Sequence, residues 1–345
     1  MQTGSGGMVE VCIGAALAGE RLDRAVSMVS GVSRSMASEM VASGMVELGA
    51  TAPRSEETSG SGEAPVDAVG NVALRLATDR TYQLREGEWL VVHLPDLVSS
   101  DPEPDPSVSF GVVYEDEDLV VVDKPAGLVV HHGAGHERGT LVDGLVARYP
   151  DLGSLGREGL LGDPARPGIV HRLDKGTSGL VVVARSARAY SSLCAQMRLH
   201  TATRRYQALV HGLVQSAQGV VDAPIGRSER QATRMAVKAS GRPARTHYRV
   251  IRRFGDPTDA TLIEASLETG RTHQVRVHMA AIGHPVVGDD RYGRPGLTRR
   301  FRSASMVPGR LFLHAGLLEV EHPAGWRASW TSPLPDDLRL VVDEL

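Results

Sequence analysis

The chain lacks the residues and apolar runs that mark disulfide-linked, zinc-binding or membrane proteins. Its 345 residues include two cysteines, Cys12 and Cys194, which lie in different halves of the sequence. This number and spacing argue against both a disulfide framework and a zinc site. No apolar run approaches the roughly 18 residues that a membrane span needs, and the N-terminus has no basic flank before an apolar stretch. We therefore expect a cytoplasmic protein without a membrane span or a metal.

Charge is distributed unevenly along the chain, although the net charge is only −3. Residues 1–130 contain 8 Lys and Arg but 21 Asp and Glu, whereas residues 184–253 contain 14 Lys and Arg but 2 Asp and Glu. A long stretch of one sign is typical of a phosphate-binding surface, although an ordinary solvated face has the same composition. The scarcity of acidic residues within 184–253 favours a polyanionic partner.

The first 98 residues predict a small α/β module. Apolar residues recur with helical spacing from Arg21 to Ser30, and a second helical stretch over about 34–44 precedes a short strand. Residues at about 50–70 are rich in Ser, Gly, Glu and Pro. This composition is typical of a flexible insertion.

A proline-rich linker separates this module from the rest of the chain. Residues 99–108 include three prolines, which cannot continue a helix or a sheet. Over 109–345, strand-like runs such as 127–131 alternate with helical patterns near 140–148 and 187–199. This mixture predicts an α+β domain with a mixed, largely antiparallel sheet.

The segment 171–180, which reads His-Arg-Leu-Asp-Lys-Gly-Thr-Ser-Gly-Leu, combines one carboxylate with two cations. Asp174 lies between Arg172 and Lys175, and a strand-like apolar run follows. Nearby cations favour the charged form of a carboxylate, and an ionised carboxylate held against a strand is a plausible nucleophile. A turn with an aspartate cap explains the same residues. Chemistry alone leaves both interpretations open.

Four segments in this order resemble the motifs of RluA-type RNA pseudouridine synthases. They are Val121–Leu128, the segment 171–180, Arg204–Val210, and Thr269–Met279 with its continuation to Gly288-Asp289-Asp290. The resemblance covers about residues 109 to 335. It implies a pseudouridine-synthase fold and an isomerase that acts on RNA. It also implies a reaction that needs no metal or other cofactor.

The resemblance assigns roles to individual residues. Asp174 matches the catalytic aspartate, which either attacks ribose C1′ or removes a 2′ proton. Arg276 matches the arginine that pairs with this aspartate, and a guanidinium suits a buried carboxylate because it binds in a bidentate way. Tyr206 matches the active-site tyrosine, whose ring can stack on uracil and whose hydroxyl can transfer a proton. The residues expected to bind substrate are Arg172, Lys175, Arg204, Arg205, Arg271 and His273.

Each role has a simpler alternative. Arg276 would otherwise be an exposed strand arginine, Tyr206 a core tyrosine, and Arg172 part of a structural salt bridge. For the whole protein, one alternative is an RNA-binding assembly factor with an inactive synthase domain, although the retained Asp174, Tyr206 and Arg276 argue against it. Another is a hydrolase that releases uracil, which a single carboxylate fits poorly because glycosidases usually use two.

The N-terminal module resembles an S4-type RNA-binding module. Arg21-Leu22-Asp23 and Ser33-Arg34-Ser35 carry this resemblance, which implies RNA contacts for Arg21 and Arg34. The second helix has no basic residue over 35–43 and contains Glu39. Since RNA binding depends on phosphate contacts, the module either binds RNA weakly or is a structural appendage.

The expected substrate is folded RNA with accessible uridines, because the target base must leave its stack to reach Asp174. Together with an S4-like module, the resemblance implies the branch that acts on large-subunit ribosomal RNA, free or in a pre-ribosomal particle. Nothing in the sequence indicates an obligate protein partner.

Overall fold

The chain divides into two compact units, Met1–Ser99 and Ser100–Leu345. The computed structural model describes residues 8–32, 34–49, 74–94, 101–133, 138–229, 231, 234–255, 258–293 and 310–345. The flexible insertion predicted at 50–70 lies outside these residues. None of the described helices is long and apolar enough to cross a membrane.

In the first unit, the described residues form two helices and a four-stranded antiparallel sheet. The strands lie in the order β1 (Met8–Cys12), β4 (Trp89–His93), β2 (Val46–Gly49) and β3 (Leu74–Leu76). The helices are α1 (Leu22–Ser30) and α2 (Arg34–Ala42). Leu22, Ala25 and Val26 are fully buried in a core that α1 and α2 share with the sheet. The helical spacing in the sequence therefore marks the face of α1 that packs inward.

The second unit contains a nine-stranded sheet. Its strands are β5 (Gly111–Glu115), β6 (Leu119–Lys124), β7 (Ser178–Ala184), β8 (Thr203–His211), β9 (Gln218–Asp222), β12 (Arg245–Phe254), β13 (Ala260–Leu267), β14 (Leu313–Glu321) and β15 (Arg327–Thr331). They follow the order β5-β6-β7-β14-β8-β13-β12-β9, and β15 pairs with β14. β7 and β14 run parallel, and the other recorded pairs are antiparallel. The predicted α+β class with a mixed, largely antiparallel sheet is confirmed.

The described residues of the second unit also form five helices and a separate hairpin. The helices are α3 (Leu141–Arg148), α4 (Pro150–Arg157), α5 (Ala187–Leu199), α6 (Gln274–Ala281) and α7 (Asp336–Glu344). The hairpin consists of β10 (Ile225–Arg227) and β11 (Met235–Val237). The predicted helices near 140–148 and 187–199 are α3 and α5. Ser186 caps α5, because its hydroxyl accepts a hydrogen bond from the N–H of Ala189.

The prediction of a strand at 127–131 is wrong. This apolar run forms a turn whose carbonyl groups have other partners. The carbonyl groups of Val129 and Val130 accept the N–H groups of Leu141 and Val142 in the first turn of α3, at 2.8 and 3.0 Å. Because the first N–H groups of a helix lack partners within the helix, this loop satisfies them and leaves no ladder for a strand.

The fold brings the four motif segments to one region. β7 begins directly after Asp174-Lys175-Gly176-Thr177, and all seven of its residues are buried. It can lie against β14 only because Gly179 has φ +114 and no side chain. A Cβ atom on Gly179 would stand 2.3 Å from the carbonyl oxygen of Ala315. The segment that carries Asp174 is therefore anchored in the middle of the sheet.

Candidate active site

The Asp174 carboxylate faces a cleft and is 17% exposed. Its Oδ2 accepts a hydrogen bond from Nη1 of Arg276 at 3.2 Å. Its Oδ1 lies 3.9 Å from Nε2 of His273, which is beyond hydrogen-bond distance. Among the described residues, Oδ1 accepts no hydrogen bond. One oxygen of the carboxylate is thus held by a cation while the other is available to a ligand.

Arg276 connects Asp174 to a second, buried carboxylate. It lies on α6, is 7% exposed, and donates from Nε and Nη2 to both oxygens of Asp289 at 2.7 and 2.9 Å. Burial alone would lower the pKa of Arg276, but the hydrogen bonds and charges of Asp289 and Asp174 raise it. The alternative of an exposed strand arginine is therefore wrong.

Asp289 is itself held in place by backbone hydrogen bonds. Its Oδ1 accepts the backbone N–H groups of Arg291 and Tyr292, both at 2.9 Å. Burial would raise the pKa of Asp289, but Arg276 and these N–H groups hold it below its usual value. The carboxylate is therefore a charged support for Arg276.

Lys124 joins the first motif segment to the segment of Asp174. It is fully buried, and its Nζ donates to the carbonyl oxygens of Pro125 and Leu128, each at 2.8 Å, and of Lys175 at 3.5 Å. Burial lowers the pKa of Lys124 to about 7, against the opposing charge of Asp174. These bonds hold the turn after Asp174 against the turn after β6.

Tyr206 lies near the middle of β8, between Ala265 of β13 and Ala315 of β14. It is 7% exposed, belongs to the main core, and also lines the cleft. Burial raises the pKa of its hydroxyl, so the group stays protonated at neutral pH. Its hydroxyl makes no recorded hydrogen bond to the described residues. The ring is therefore held by the core while the hydroxyl remains available.

The cleft around Asp174 has a volume of about 450 Å³, within the usual range for ligand sites. Asp174 is the one carboxylate among its described lining residues. The lining cations are Arg166, Arg172, Arg198, Arg204, Arg271 and Arg276. Buried polar atoms of lining residues that lack a hydrogen-bond partner among the described residues are His131 Nδ1, His171 Nδ1, Thr177 Oγ1 and Arg204 Nε. Because unpaired buried polar groups are costly, this concentration indicates a polar, anionic ligand.

Comparison with known proteins identifies the family. The family model for RNA pseudouridylate synthase matches residues 118–281. An uncharacterized RNA pseudouridine synthase of Bacillus subtilis (strain 168) is 43% identical over 270 residues, which cover 78% of this chain and 83% of that protein. Ribosomal large subunit pseudouridine synthase D of Zymomonas mobilis subsp. mobilis is 39% identical over 331 residues, covering 95% and 94% of the two chains. The chain belongs to the RNA pseudouridine synthase family.

A solved structure supports the same assignment for the fold. Human RNA pseudouridylate synthase domain containing 1 has a TM-score of 0.54 and 27% identity, and the match covers 69% of this chain and 90% of that chain. The predicted family and the predicted isomerase activity on RNA are confirmed. The S4-like identity of the first unit stays a prediction.

Four of the six residues expected to bind substrate line the cleft of this synthase. They are Arg172, Arg204, Arg271 and His273. Arg172 is exposed and donates from Nη1 to Nε2 of His131 at 3.3 Å. Burial and the charge of Arg172 lower the pKa of His131 to about 4, so its ring is a neutral acceptor. Arg172 is therefore not part of an ion pair with the described carboxylates.

The other two expected substrate-binding residues do not line the cleft. Arg205 follows Arg204 on β8 and points to the opposite face of the sheet, where Nη1 lies 3.8 Å from Oε1 of Glu264. Alternation along a strand requires this, since neighbouring side chains point to opposite faces. Lys175 contributes its backbone instead, because its carbonyl oxygen accepts the N–H of Gly127 at 2.7 Å. Neither side chain is among the residues that line the cleft around Asp174.

In the first unit, Arg21 and Arg34 both pair with Asp23. Arg21 donates from Nε and Nη2 to its two oxygens at 3.1 and 3.2 Å, and Nε of Arg34 lies 3.4 Å from Oδ2. Asp23 is 4% exposed, and the two arginines lower its pKa against the effect of burial. The two expected RNA contacts thus have an intramolecular role.

The basic segment 184–253 acquires acidic partners in the folded unit. Arg188 pairs with Asp118 at 2.5 Å, and Arg249 pairs with Glu264 at 3.2 Å. Both acids lie outside the segment, so the scarcity of acids within it overstated its positive potential. The cleft keeps an excess of positive charge, because its described lining includes six arginines and one carboxylate.

Sequence reasoning missed Asp289, Tyr292 and Lys124 as parts of the site. Asp289 and Lys124 lie in the motif segments, but these segments also contain Asp290 and Lys175, which are exposed. Burial is what distinguishes them, and spacing along the chain does not reveal it. Tyr292 follows the last motif segment and carries no local signal.

Proposed function

We propose that this RNA pseudouridine synthase isomerises specific uridines of large-subunit ribosomal RNA, with Asp174 as the catalytic carboxylate. The observation that carries the proposal is the Asp174–Arg276–Asp289 arrangement at the base of a cationic cleft. It leaves a single carboxylate oxygen, Oδ1, open toward the ligand.

The chemistry requires bond rearrangement within one nucleotide. The bond between C1′ and N1 breaks, the uracil turns, and a bond forms between C1′ and C5. The proton that leaves C5 is balanced by the proton gained at N1, so no redox partner is consumed. Asp174 assists at the ribose, either by attack on C1′ or by removal of a 2′ proton. Both roles need a carboxylate beside the sugar, which the Arg276 guanidinium holds in place.

The remaining cleft residues suit a nucleotide turned out of its stack. The Tyr206 ring is buried next to the cleft and can stack on uracil, while its protonated hydroxyl can transfer a proton. Arg172, Arg198 and Arg204 can neutralise the phosphates on either side of the nucleotide. A single uridine and its flanking backbone therefore fit the distribution of charge.

The choice of ribosomal RNA depends on relatives. Proteins named ribosomal large subunit pseudouridine synthase D from Zymomonas mobilis and Pseudomonas aeruginosa are 39% and 42% identical to this chain. A hydrolytic reaction that releases uracil is disfavoured, because the second carboxylate, Asp289, has both oxygens bonded to Arg276.

Tritium release from ribosomal RNA labelled at uridine C5 tests the proposal. Wild-type protein should release tritium without producing free uracil, and Asp174→Asn should be silent. Asp336→Asn serves as the control, because this exposed aspartate lies on α7 and pairs only with Arg339 among the described residues. It should retain full activity.

Three outcomes would contradict specific parts. Activity in Asp174→Asn would remove Asp174 from its catalytic role. Free uracil would indicate hydrolysis. Release from transfer RNA with none from ribosomal RNA would leave the enzyme class intact but refute the proposed substrate.

A further inference from the structure

Tyr292 connects the hairpin of β10 and β11 to the catalytic cleft. Its hydroxyl accepts a hydrogen bond from the backbone N–H of Met235 on β11 at 3.0 Å, and it lies 2.7 Å from Nδ1 of His273. The Tyr292 ring packs edge-on against the His273 ring and lies 5.1 Å from the guanidinium carbon of Arg276. A single side chain therefore contacts the hairpin and both groups next to Asp174.

The hydrogen bonds at Tyr292 determine which nitrogen of His273 carries the proton. A phenol has one hydrogen, and the Tyr292 oxygen already accepts from Met235. If the hydroxyl donates to Nδ1 of His273, both the Met235 N–H and the phenol hydrogen have acceptors. The neutral ring then carries its proton on Nε2, which faces Oδ1 of Asp174 at 3.9 Å. In this arrangement Met235 donates to Tyr292, Tyr292 donates to His273, and the Nε2–H of His273 faces Asp174.

Two further observations agree with this assignment. Burial raises the pKa of Tyr292, so the hydroxyl retains its hydrogen. Burial also lowers the pKa of His273, against the opposing charge of Asp174, so its ring is neutral at neutral pH. Charges of Arg276, Arg291 and Asp289 also act on this ring.

We propose that Tyr292 is a positioning residue for Asp174 that acts through the tautomer of His273 and links it to the β10–β11 hairpin. The proposal rests on the catalytic role proposed for Asp174. With Tyr292 in place, the positive end of the Nε2–H dipole faces Oδ1. Without the hydroxyl, His273 is free to move its proton to Nδ1, and the Nε2 lone pair would face the carboxylate.

The hairpin is seated where it can exert this effect. Its residue Ile225 is fully buried in a small core with Ala244 and Val277 of α6, against which Met235 and Tyr292 pack. A shift of the hairpin would therefore move the Met235 N–H away from Tyr292. The position of the hairpin and the hydrogen bonds at Tyr292 are thereby coupled.

Tyr292→Phe in the full chain removes the hydroxyl and keeps the ring. Under single-turnover conditions, the maximal rate of pseudouridine formation should fall by about tenfold, which equals about 1.4 kcal/mol and is typical of one buried hydrogen bond. The RNA concentration for half-maximal rate should stay unchanged. Tyr114→Phe is the matched control, because Tyr114 is a half-buried tyrosine that donates to Asp116 away from the cleft. It should retain the wild-type rate.

His273→Asn completes a double-mutant cycle. Asparagine tolerates the positive φ of 59° at position 273 and can still accept from Tyr292. If the two residues act in series, Tyr292→Phe should cost nothing further in the His273→Asn background. Additive losses, or an unchanged rate in Tyr292→Phe alone, would overturn the proposal.

Nitrogen chemical shifts of the His273 ring provide a readout independent of activity. The wild type should show a protonated Nε2, and Tyr292→Phe should show a mixture of tautomers. A wild-type ring protonated on Nδ1 would refute the link. If wild-type protein forms no pseudouridine while the tautomer shift occurs as expected, the proposed function fails and the Tyr292–His273 link stands.

Discussion

At the scale of single residues, the site depends on how Asp289 supports Arg276. A guanidinium that bound Asp174 alone would be free to rotate about its long side chain. Two hydrogen bonds to Asp289 and the ring of Tyr292 restrict that freedom, so Nη1 remains directed at Asp174. Asp289 therefore acts on the reaction through Arg276.

Asp289→Asn should reduce the maximal rate of pseudouridine formation by about 10–100-fold, because an amide replaces one charged acceptor and weakens the hold on Arg276. The apparent affinity for RNA should change little. Asp290→Asn is the matched control, since this neighbouring aspartate is exposed. Single-turnover rates measure the difference, and equal rates in the two variants would show that Asp289 does not support catalysis.

His171 is a half-buried histidine whose ring must remain neutral. Its Nε2 accepts the backbone N–H of Val182 on β7 at 3.0 Å, so the ring proton lies on Nδ1. Burial, with a smaller contribution from the charge of Arg204, lowers the pKa of His171 to about 3. The unfolded chain takes up a proton near pH 6.5 that the folded chain does not. The free energy of unfolding should therefore fall as pH falls from about 6.5 toward about 3.

His171→Gln should make this pH dependence shallower. Glutamine retains an acceptor for Val182 but has no titrating ring, so the slope should decrease by about 1 kcal/mol per pH unit. Urea denaturation of the full chain between pH 4.5 and 6.5 measures it. His200→Asn controls for the loss of an exposed histidine. A slope unchanged from wild type would show that His171 titrates normally in the folded state.

At the scale of elements, the sequence predicted strands and helices with a clear period and missed those without one. The helix α5 was predicted with its bounds, because its cap and its apolar spacing agree. The helix α6 was not, since every residue from Gln274 to Met279 is buried and no amphipathic period remains. The alternation of Val275, Val277 and Met279 instead mimics a strand.

The same difference explains how much of the site was predictable. Asp174, Tyr206 and Arg276 lie in ordered motifs, and the structure brings all three to one cleft. Arg205 shares a motif with Tyr206 but points to the opposite face, which follows from strand alternation and not from the motif. Asp289 could not be distinguished from Asp290, because only the fold determines which of the two is buried.

Gly179→Ala should destabilise the second unit by more than about 3 kcal/mol, because the new Cβ would meet the backbone of Ala315 and positive φ adds strain. Gly325→Ala separates the two effects. Gly325 has φ +90 in the turn between β14 and β15, and a Cβ there would meet nothing within 4 Å. It should cost only about 1–2 kcal/mol. Equal losses in thermal or urea unfolding would refute the close approach of β7 to β14.

At the scale of the whole molecule, the distribution of charge in the folded units differs from its distribution along the sequence. Residues 1–99 contain 7 Lys and Arg but 13 Asp and Glu, and Arg21 and Arg34 both pair with Asp23. The cleft of the second unit has six arginines and one carboxylate among its described lining residues. Electrostatic attraction for RNA should therefore come mainly from the second unit.

Removal of residues 1–99 tests whether the second unit provides most of the attraction for RNA. Each unit has its own hydrophobic core, so residues 100–345 should fold and retain the chemistry. The RNA concentration for half-maximal rate should rise by less than about tenfold, since a linked module with few cations adds only modest avidity. The maximal single-turnover rate should stay the same, while the set of modified uridines should become less selective. A lower maximal rate would place the first unit in the chemistry, whereas an unchanged set of modified sites and unchanged affinity would show that it takes no part in RNA recognition.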